Sequence, residues 1–230
     1  MPPAIESWYL LNSGLGNYAF NMALDEALLE AMPRIGKPVL RFYGWHERAA
    51  SFGYFQKYLE VEAATLLRPL VRRPTAGGLV PHDADWTYSL AFPTTDKWYA
   101  LKAVESYQRI HEWIQAAFCY LGLTTELAPS RSEKGRGECF IGYETNDLLL
   151  SGKKIAGAAQ RRTRSGLLIQ GSVQPATLGP SRTEWEQAMC KVASANGVNW
   201  SRLELDAELL ERADLLAARK FSQAGYNRKR

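Results

Sequence analysis

Three groups of residues in this chain have the side chains and spacing for covalent or acid–base chemistry. Cys139 follows Pro129 to Glu138, a polar stretch rich in charge and glycine that reads as an exposed loop. A thiol in such a place acts as a nucleophile when nearby positive charge stabilises its thiolate, and lysines and arginines are close to it in sequence. The other reading is a small buried or idle cysteine. Lys153 and Lys154 follow a Ser151-Gly152 turn. Strand alternation sends the two side chains to opposite faces, so only one can reach a site. An ammonium there can lower a thiol pKa and steady an oxyanion, or it can be a hairpin lysine in water. The third group is Arg72-Arg73-Pro74-Thr75-Ala76-Gly77-Gly78-Leu79-Val80-Pro81-His82-Asp83. Gly77 and Gly78 let a backbone approach a ligand closely, and the arginines offer fixed charge and planar donors to a carboxylate or phosphate. A plain turn between strands is the competing reading. His82 fits a general base, a hydrogen-bond donor or a strand-capping residue.

The elements that must position these residues follow from periodicity. Leu24, Ala27, Leu28 and Ala31 share one helical face, predicting a helix from Asn21 to Met32 that ends at Pro33. A long helix is expected from Ala100 to Leu121, stopped by Gly122. Val39–Tyr43, Ser51–Gln56, Leu70–Arg73 and Asp85–Phe92 read as strands. Asp147–Leu150, Ile155–Arg161 and Leu167–Val173 read as a three-stranded meander. Ser181 and Glu184 form a capping-box pattern ahead of a helix, and a second helix is expected from Asp206 to Lys220. Cys119 falls inside the long helix as packing, and Cys190 lies off the apolar face of its own. The element order predicts an α+β fold with a mixed sheet flanked by helices and a short helical C-terminal tail.

Composition limits the function classes. The 230 residues are 46% hydrophobic and 23% charged, enough for one large domain with a sizeable core. A net charge of +4 without a finger or helix-turn-helix pattern argues against nucleic acid as the partner. No apolar run is long enough to span a bilayer, and the first residues carry no secretory-signal pattern. Three widely spaced cysteines without Cys-x-x-Cys argue against a disulfide framework or a zinc site, so a reducing cytoplasm is expected and no metal. Basic residues cluster at Arg131, Lys134, Arg136, Lys153, Lys154, Arg161, Arg162 and Arg164. This is either a solvated face or a docking face for acidic proteins.

Taken together, several segments resemble the biotin/lipoate A/B protein-ligase superfamily, and within it the cysteine-dependent octanoyltransferases. They are Phe20–Leu29, Leu40–Trp45, Ser51–Gln56, the Arg72–Asp83 segment, Cys139-Phe140, Asp147–Gln160 and Leu167–Val173, in the family's order. The resemblance implies a mixed sheet flanked by helices with the ligand lying across the sheet. A catalytic domain at 1–180 is expected, with residues 181–230 a C-terminal helical extension packed on it. It places the acyl-accepting cysteine at Cys139. It places the lysine that contacts the acyl carbonyl at Lys154, in Lys154-Ile155-Ala156-Gly157. It puts Arg72, Arg73, Ala76, Gly77, Gly78, His82, Gly157 and Gln170 about the substrate. The implied reaction moves an octanoyl or lipoyl group from acyl carrier protein, through a Cys139 thioester, to a lysine of a lipoyl domain. The acceptors would be 2-oxoacid dehydrogenases or the glycine cleavage H protein. No cofactor is implied beyond the phosphopantetheine-borne thioester, and a monomer is expected.

Ala76 stands where the family's motif has its first glycine, and Gln170 where it usually has histidine. The chain is also shorter than ligases with an accessory domain. The competing reactions are an ATP- and magnesium-dependent lipoate ligase, in which Cys139 is idle, and an amidotransferase acting between lipoyl domains. A relative that only binds acylated partners is the non-catalytic alternative.

Overall fold

The computed structural model describes residues 5–131, 142–175 and 179–230. In chain order the elements are β1 (Glu6–Gly16), α1 (Tyr18–Ile35), β2 (Val39–Trp45), β3 (Ala49–Phe52), α2 (Tyr58–Ala64), β4 (Leu70–Arg72), β5 (Val80–His82) and β6 (Trp86–Pro93). Then come α3 (Lys97–Ala100), α4 (Ala103–Tyr120), β7 (Glu126–Leu127), β8 (Leu148–Leu150), β9 (Lys153–Arg162) and β10 (Gly166–Val173). The last are α5 (Arg182–Ala195), β11 (Val198–Arg202), α6 (Ala207–Leu216), a π-helical turn over Ala217–Phe221, and α7 (Ala224–Asn227).

The main sheet runs β11-β1-β2-β6-β10-β9-β8-β7, and a smaller sheet runs β4-β3-β5. β1 is parallel to both β11 and β2, and the remaining pairs of the main sheet are antiparallel, so the sheet is mixed as expected. Side-chain alternation separates its two faces. Leu40 and Phe42 of β2, with Trp86, Tyr88, Leu90 and Phe92 of β6, pack under α4 and α5. The opposite face packs on α1 and α6 through Val39, Tyr43 and Ala91. There the intervening buried positions are polar: Arg41, Thr87, Ser89, Gln170 and Ser172. A sheet face that buries five polar side chains must satisfy them with one another or with a ligand, and this is the face on which the site is built.

The long strands and helices match the sequence reading, and the differences have local causes. α1 runs on through Pro33 to Ile35, because a proline in the last turn leaves the helix to be closed by Gly36, whose left-handed φ of 67° lets its amide donate to the Met32 carbonyl. The expected helix from Ala100 to Leu121 is two, broken where Leu101 and Lys102 are extended (ψ 148° and 153°). β3 ends at Phe52, where the Gly53 amide donates to Gln56 Oε1 rather than to a neighbouring strand. β1 had no alternation to betray it: its buried residues Trp8 and Leu11 are three apart, and its register slips between Asn12 and Leu15. Residues after 181 do more than add helices. β11 extends the main sheet beside β1, and α6 packs on α1. The Ser181–Glu184 capping box is formed in both directions.

Candidate active site

Between the polar face of the main sheet and the smaller sheet lies a partly open cleft. β5 and the segment after β4 form one wall, while β9 and β10 form the other. Met22, Tyr43, Val80, Ala158, Ala159 and Gly171 give it apolar surface. Ser51, Arg73, His82, Thr87, Lys154 and Ser172 supply its polar groups. Its lining combines apolar surface with a few polar groups, as ligand sites do.

Lys154 and Lys153 separate as strand alternation requires, with Lys153 exposed and Lys154 on the cleft. Lys154 Nζ lies 2.6 Å from Asp147 Oδ2, and the two side chains are 7% and 0% exposed. Asp147 also accepts from the Glu144 amide at 2.7 Å and from the Tyr107 hydroxyl. The carboxylate gives the lysine a buried, hydrogen-bonded counter-charge. Gly157 makes the pose possible: a Cβ there would fall 2.7 Å from Lys154 Cε and 2.9 Å from Nζ. The glycine therefore serves the lysine, leaving room for its side chain to fold back along the strand.

Behind this pair sits His111, fully buried, with Nδ1–H donating to the Tyr107 carbonyl at 2.9 Å. Burial pushes its imidazole down to about 4, against an upward pull from Asp147. The folded state thus binds fewer protons than the unfolded chain between the unfolded value of 6.5 and the folded one. The resulting stabilisation is fully present above pH 6.5 and falls away as pH drops towards 4, by about 3 kcal/mol at most. Urea unfolding measured from pH 7.5 to 4 is expected to show that decline, and His111→Leu to remove most of it.

The glycine segment is held by Arg73. Its Nε and NH2 donate to the Ala76 carbonyl, and NH2 to the Gly78 carbonyl at 2.7 Å, so the side chain fastens the loop from inside. Gly77 alone of the Ala76–Gly78 triplet lines the cleft, with φ +89°. Its carbonyl packs on Gly53, where an added Cβ would meet Gly77 O at 1.9 Å. Ala76, whose methyl was expected near the ligand, is off the cleft wall. Arg72 is not brought to the cleft either. Its buried guanidinium donates to the Tyr54, Gln56 and Asn227 carbonyls, clamping the C-terminal α7 against β4. Gln170 does line the cleft, but both ends of its amide are committed: Nε2 donates to Asp25 at 2.7 Å and Oε1 accepts from Thr75 at 2.8 Å. It braces the glycine segment from below.

Cys139 lies outside the described residues, as do Lys134 and Arg136. Of the other thiols, Cys119 is exposed on α4, contrary to the packing role expected, and burial pushes Cys190 up to about 11. Neither lines the cleft. The basic cluster is partly neutralised. Arg131 pairs with Glu144, Arg161 with Glu26, and Arg162 donates to the Tyr99 carbonyl. Among the described residues no group of three or more His, Cys, Asp or Glu side chains is placed to hold a metal, and no helix is long and apolar enough to cross a membrane.

Sequence reasoning missed Asp147, Ser51 and Asp85. The last two complete a buried chain with His82. Its Nε2 is 2.8 Å from Ser51 Oγ, and its Nδ1 is 2.9 Å from Asp85 Oδ2. Only the alternation of polar with apolar residues along Asp85–Ser89 hinted at such a cluster.

Residues 17–177 match the lipoyl protein ligase A/B catalytic domain. The octanoyltransferase LipM of Geobacillus kaustophilus is 38% identical over 184 residues, covering 74% of this chain and 66% of the relative. LipM of Bacillus subtilis is 38% identical over 182 residues, covering 73% and 65%. The chain thus spans just under two thirds of the length of these curated relatives. Among solved structures, lipoate-protein ligase A bound with ATP superposes with a TM-score of 0.75 at 21% identity, over 97% of this chain and 98% of that one. A bipartite lipoate protein ligase from Thermoplasma acidophilum, studied with its E2 lipoyl domain, superposes at 0.71 and 20%, over 98% and 96%. At those identities the superpositions speak for the fold.

Proposed function

Because this chain belongs to the lipoyl protein ligase A/B catalytic domain family, we propose that it is an octanoyltransferase of lipoate assembly that works through an acyl-enzyme. The observation that carries this reading is a cleft with apolar surface and, among the described residues, one lysine ammonium, Lys154, fixed at its wall by buried Asp147. The names of its relatives support octanoyl as the group transferred. Cys139, assigned from its place in the sequence, is the nucleophile. Its thiolate attacks the carbonyl of an octanoyl thioester on the phosphopantetheine of acyl carrier protein. The C–S bond to the carrier breaks, and the carrier thiol leaves with a proton. The ε-amine of a lipoyl-domain lysine then attacks the Cys139 thioester, forming the amide and releasing the Cys139 thiol. Both steps pass through an oxyanion, which the Lys154 ammonium on the cleft wall would steady as it would the thiolate. The donor is already activated, so the reaction runs downhill without ATP. A lipoyl domain as acceptor is in keeping with the Thermoplasma neighbour's partner.

The test is intact-protein and peptide mass spectrometry after incubation with octanoyl-acyl carrier protein in the absence of ATP. The expected result is one octanoyl group on the peptide bearing Cys139, discharged to the lysine when lipoyl domain is added. No adduct, with acyl-adenylate formed from free octanoate and ATP, would make the protein a ligase instead.

A further inference from the structure

Attack by the acceptor lysine releases a proton, and Lys154 cannot take it while it is held as an ammonium against Asp147. A different set of residues on the same cleft is arranged to do so. We propose that Ser51, His82 and Asp85 form a proton relay that deprotonates the acceptor amine in the second half-reaction. This rests on the acyl-enzyme reading above.

The neighbours of the set constrain its hydrogen bonds. Arg73 NH1 donates to Ser51 Oγ at 3.2 Å. A guanidinium cannot accept a proton, so the hydroxyl hydrogen of Ser51 is free to be donated to His82 Nε2, 2.8 Å away. Asp85 Oδ2 accepts from the Thr87 hydroxyl at 2.9 Å and the Ser172 hydroxyl at 2.6 Å, so it also accepts Nδ1–H of His82. With Nδ1–H given to Asp85, a neutral His82 carries its lone pair on Nε2, aimed at a serine oxygen on the cleft wall. Trp45 stacks on the imidazole at 3.8 Å and 16°, and its Nε1 donates to Thr87, so the ring cannot swing away. Asp85 Oδ1, buried, has no hydrogen-bond partner among the described residues. Its charge is available to an imidazolium formed beside it.

The step balances as follows. The acceptor ammonium passes one proton to Ser51 Oγ as the Ser51 proton passes to His82 Nε2, which later releases it to solvent. The neutral amine then bonds to the thioester carbonyl carbon, the C–S bond breaks, and the departing Cys139 thiolate takes up the second proton of the amine. Ser51 is the residue that touches the amine, and His82 and Asp85 act through it. A general base in this position is worth about 10²–10⁴ in rate.

The experiment loads the full-length enzyme with octanoyl from octanoyl-acyl carrier protein, removes the donor, and measures single-turnover transfer to a lipoyl domain. Discharge of the same thioester by hydroxylamine, an amine already neutral near pH 7, is the parallel readout. Ser51→Ala and Asp85→Asn are both compared with wild type. Asparagine keeps the shape of Asp85 but can donate to Nδ1, which would put the ring proton on Nε2 and close the relay. Transfer to the lipoyl domain is expected to fall about a hundredfold in each variant, with hydroxylamine discharge as in wild type. Should Asp85→Asn fail to fold, Ser51→Ala, which removes a single oxygen, decides alone. Unimpaired transfer, or transfer and hydroxylamine discharge falling together, overturns the relay. Wild-type enzyme that acquires no octanoyl group overturns the acyl-enzyme reading and this step with it.

Discussion

Lys154→Met is expected to slow formation of the octanoyl-enzyme about a thousandfold, read as the rate at which the octanoyl mass appears. The size follows from what the ammonium would do. Removing one preorganised donor to a developing oxyanion costs about 10²–10³ in rate, and here the same group would also favour the thiolate. The substitution has a second effect that must be separated from the first. It leaves Asp147, 0% exposed, without its counter-charge, and an orphaned buried charge destabilises a fold by about 3–5 kcal/mol. Tyr107 and the Glu144 amide still donate to it. Lys154→Met combined with Asp147→Asn removes both charges, so it is expected to recover most of the thermal stability and none of the activity. If activity and stability return together, Lys154 is a structural partner of Asp147 and the chemistry lies elsewhere. Lys154→Arg is expected to rescue poorly, because the space left beside Gly157 fits a compact ammonium on a flexible stem rather than a planar fork.

How far the sequence revealed this site depended on the range of the interactions involved. Lys154, Gly157 and the β8–β9–β10 meander were legible because a turn, an alternation and a short motif are local, and the helix around Asp25 was legible from its period. The roles of individual polar residues were not. Arg72 and Arg73 are adjacent and chemically identical, yet one clamps the C-terminal helix through Asn227 and the other fastens the glycine segment through Ala76 and Gly78. Only the path of the chain 155 residues later separates them. Ser51 and Asp85 carry no signal by themselves, and become a chain with His82 only because β3 pairs with β5 and places Ala49 opposite His82. Gln170, which departs from the family's histidine, turned out to be a brace: an amide can donate to Asp25 and accept from Thr75 at once, whatever the pH. The polar alternation of β2, β6 and β10 was the one long-range hint present in the sequence, since a buried face with polar positions on three neighbouring strands has to close on itself.

That closure centres on Asp25, and Asp25→Ala is expected to be the most destabilising single change in the described structure. The carboxylate, 0% exposed, accepts from Arg41 NH1 at 2.7 Å, Ser89 Oγ at 2.6 Å, Gln170 Nε2 at 2.7 Å and the Tyr43 hydroxyl at 3.0 Å. It therefore joins α1 to β2, β6 and β10 at one point. Arg41 is 1% exposed, and its remaining donors reach Asn21 and Ser13, neither of which is charged. Removing Asp25 leaves a buried guanidinium without counter-charge, a loss of about 3–5 kcal/mol. For a chain of this length that lowers Tm by about 6–20 °C, measured by thermal unfolding at neutral pH. An isolated buried ion pair can often be replaced by apolar residues of similar volume without loss. This one cannot, because Tyr43, Ser89 and Gln170 would each lose their acceptor. Asp25→Leu with Arg41→Met is accordingly expected to remain well below wild type. Full recovery in that double variant would mean the three neutral donors find other partners, and that the pair alone accounts for the cost. The effect should reach the cleft as well. Gln170 released from Asp25 no longer holds Thr75 in place, and the glycine segment loses the brace beneath it. Activity in Asp25→Ala is therefore expected to fall even at temperatures where the protein remains folded.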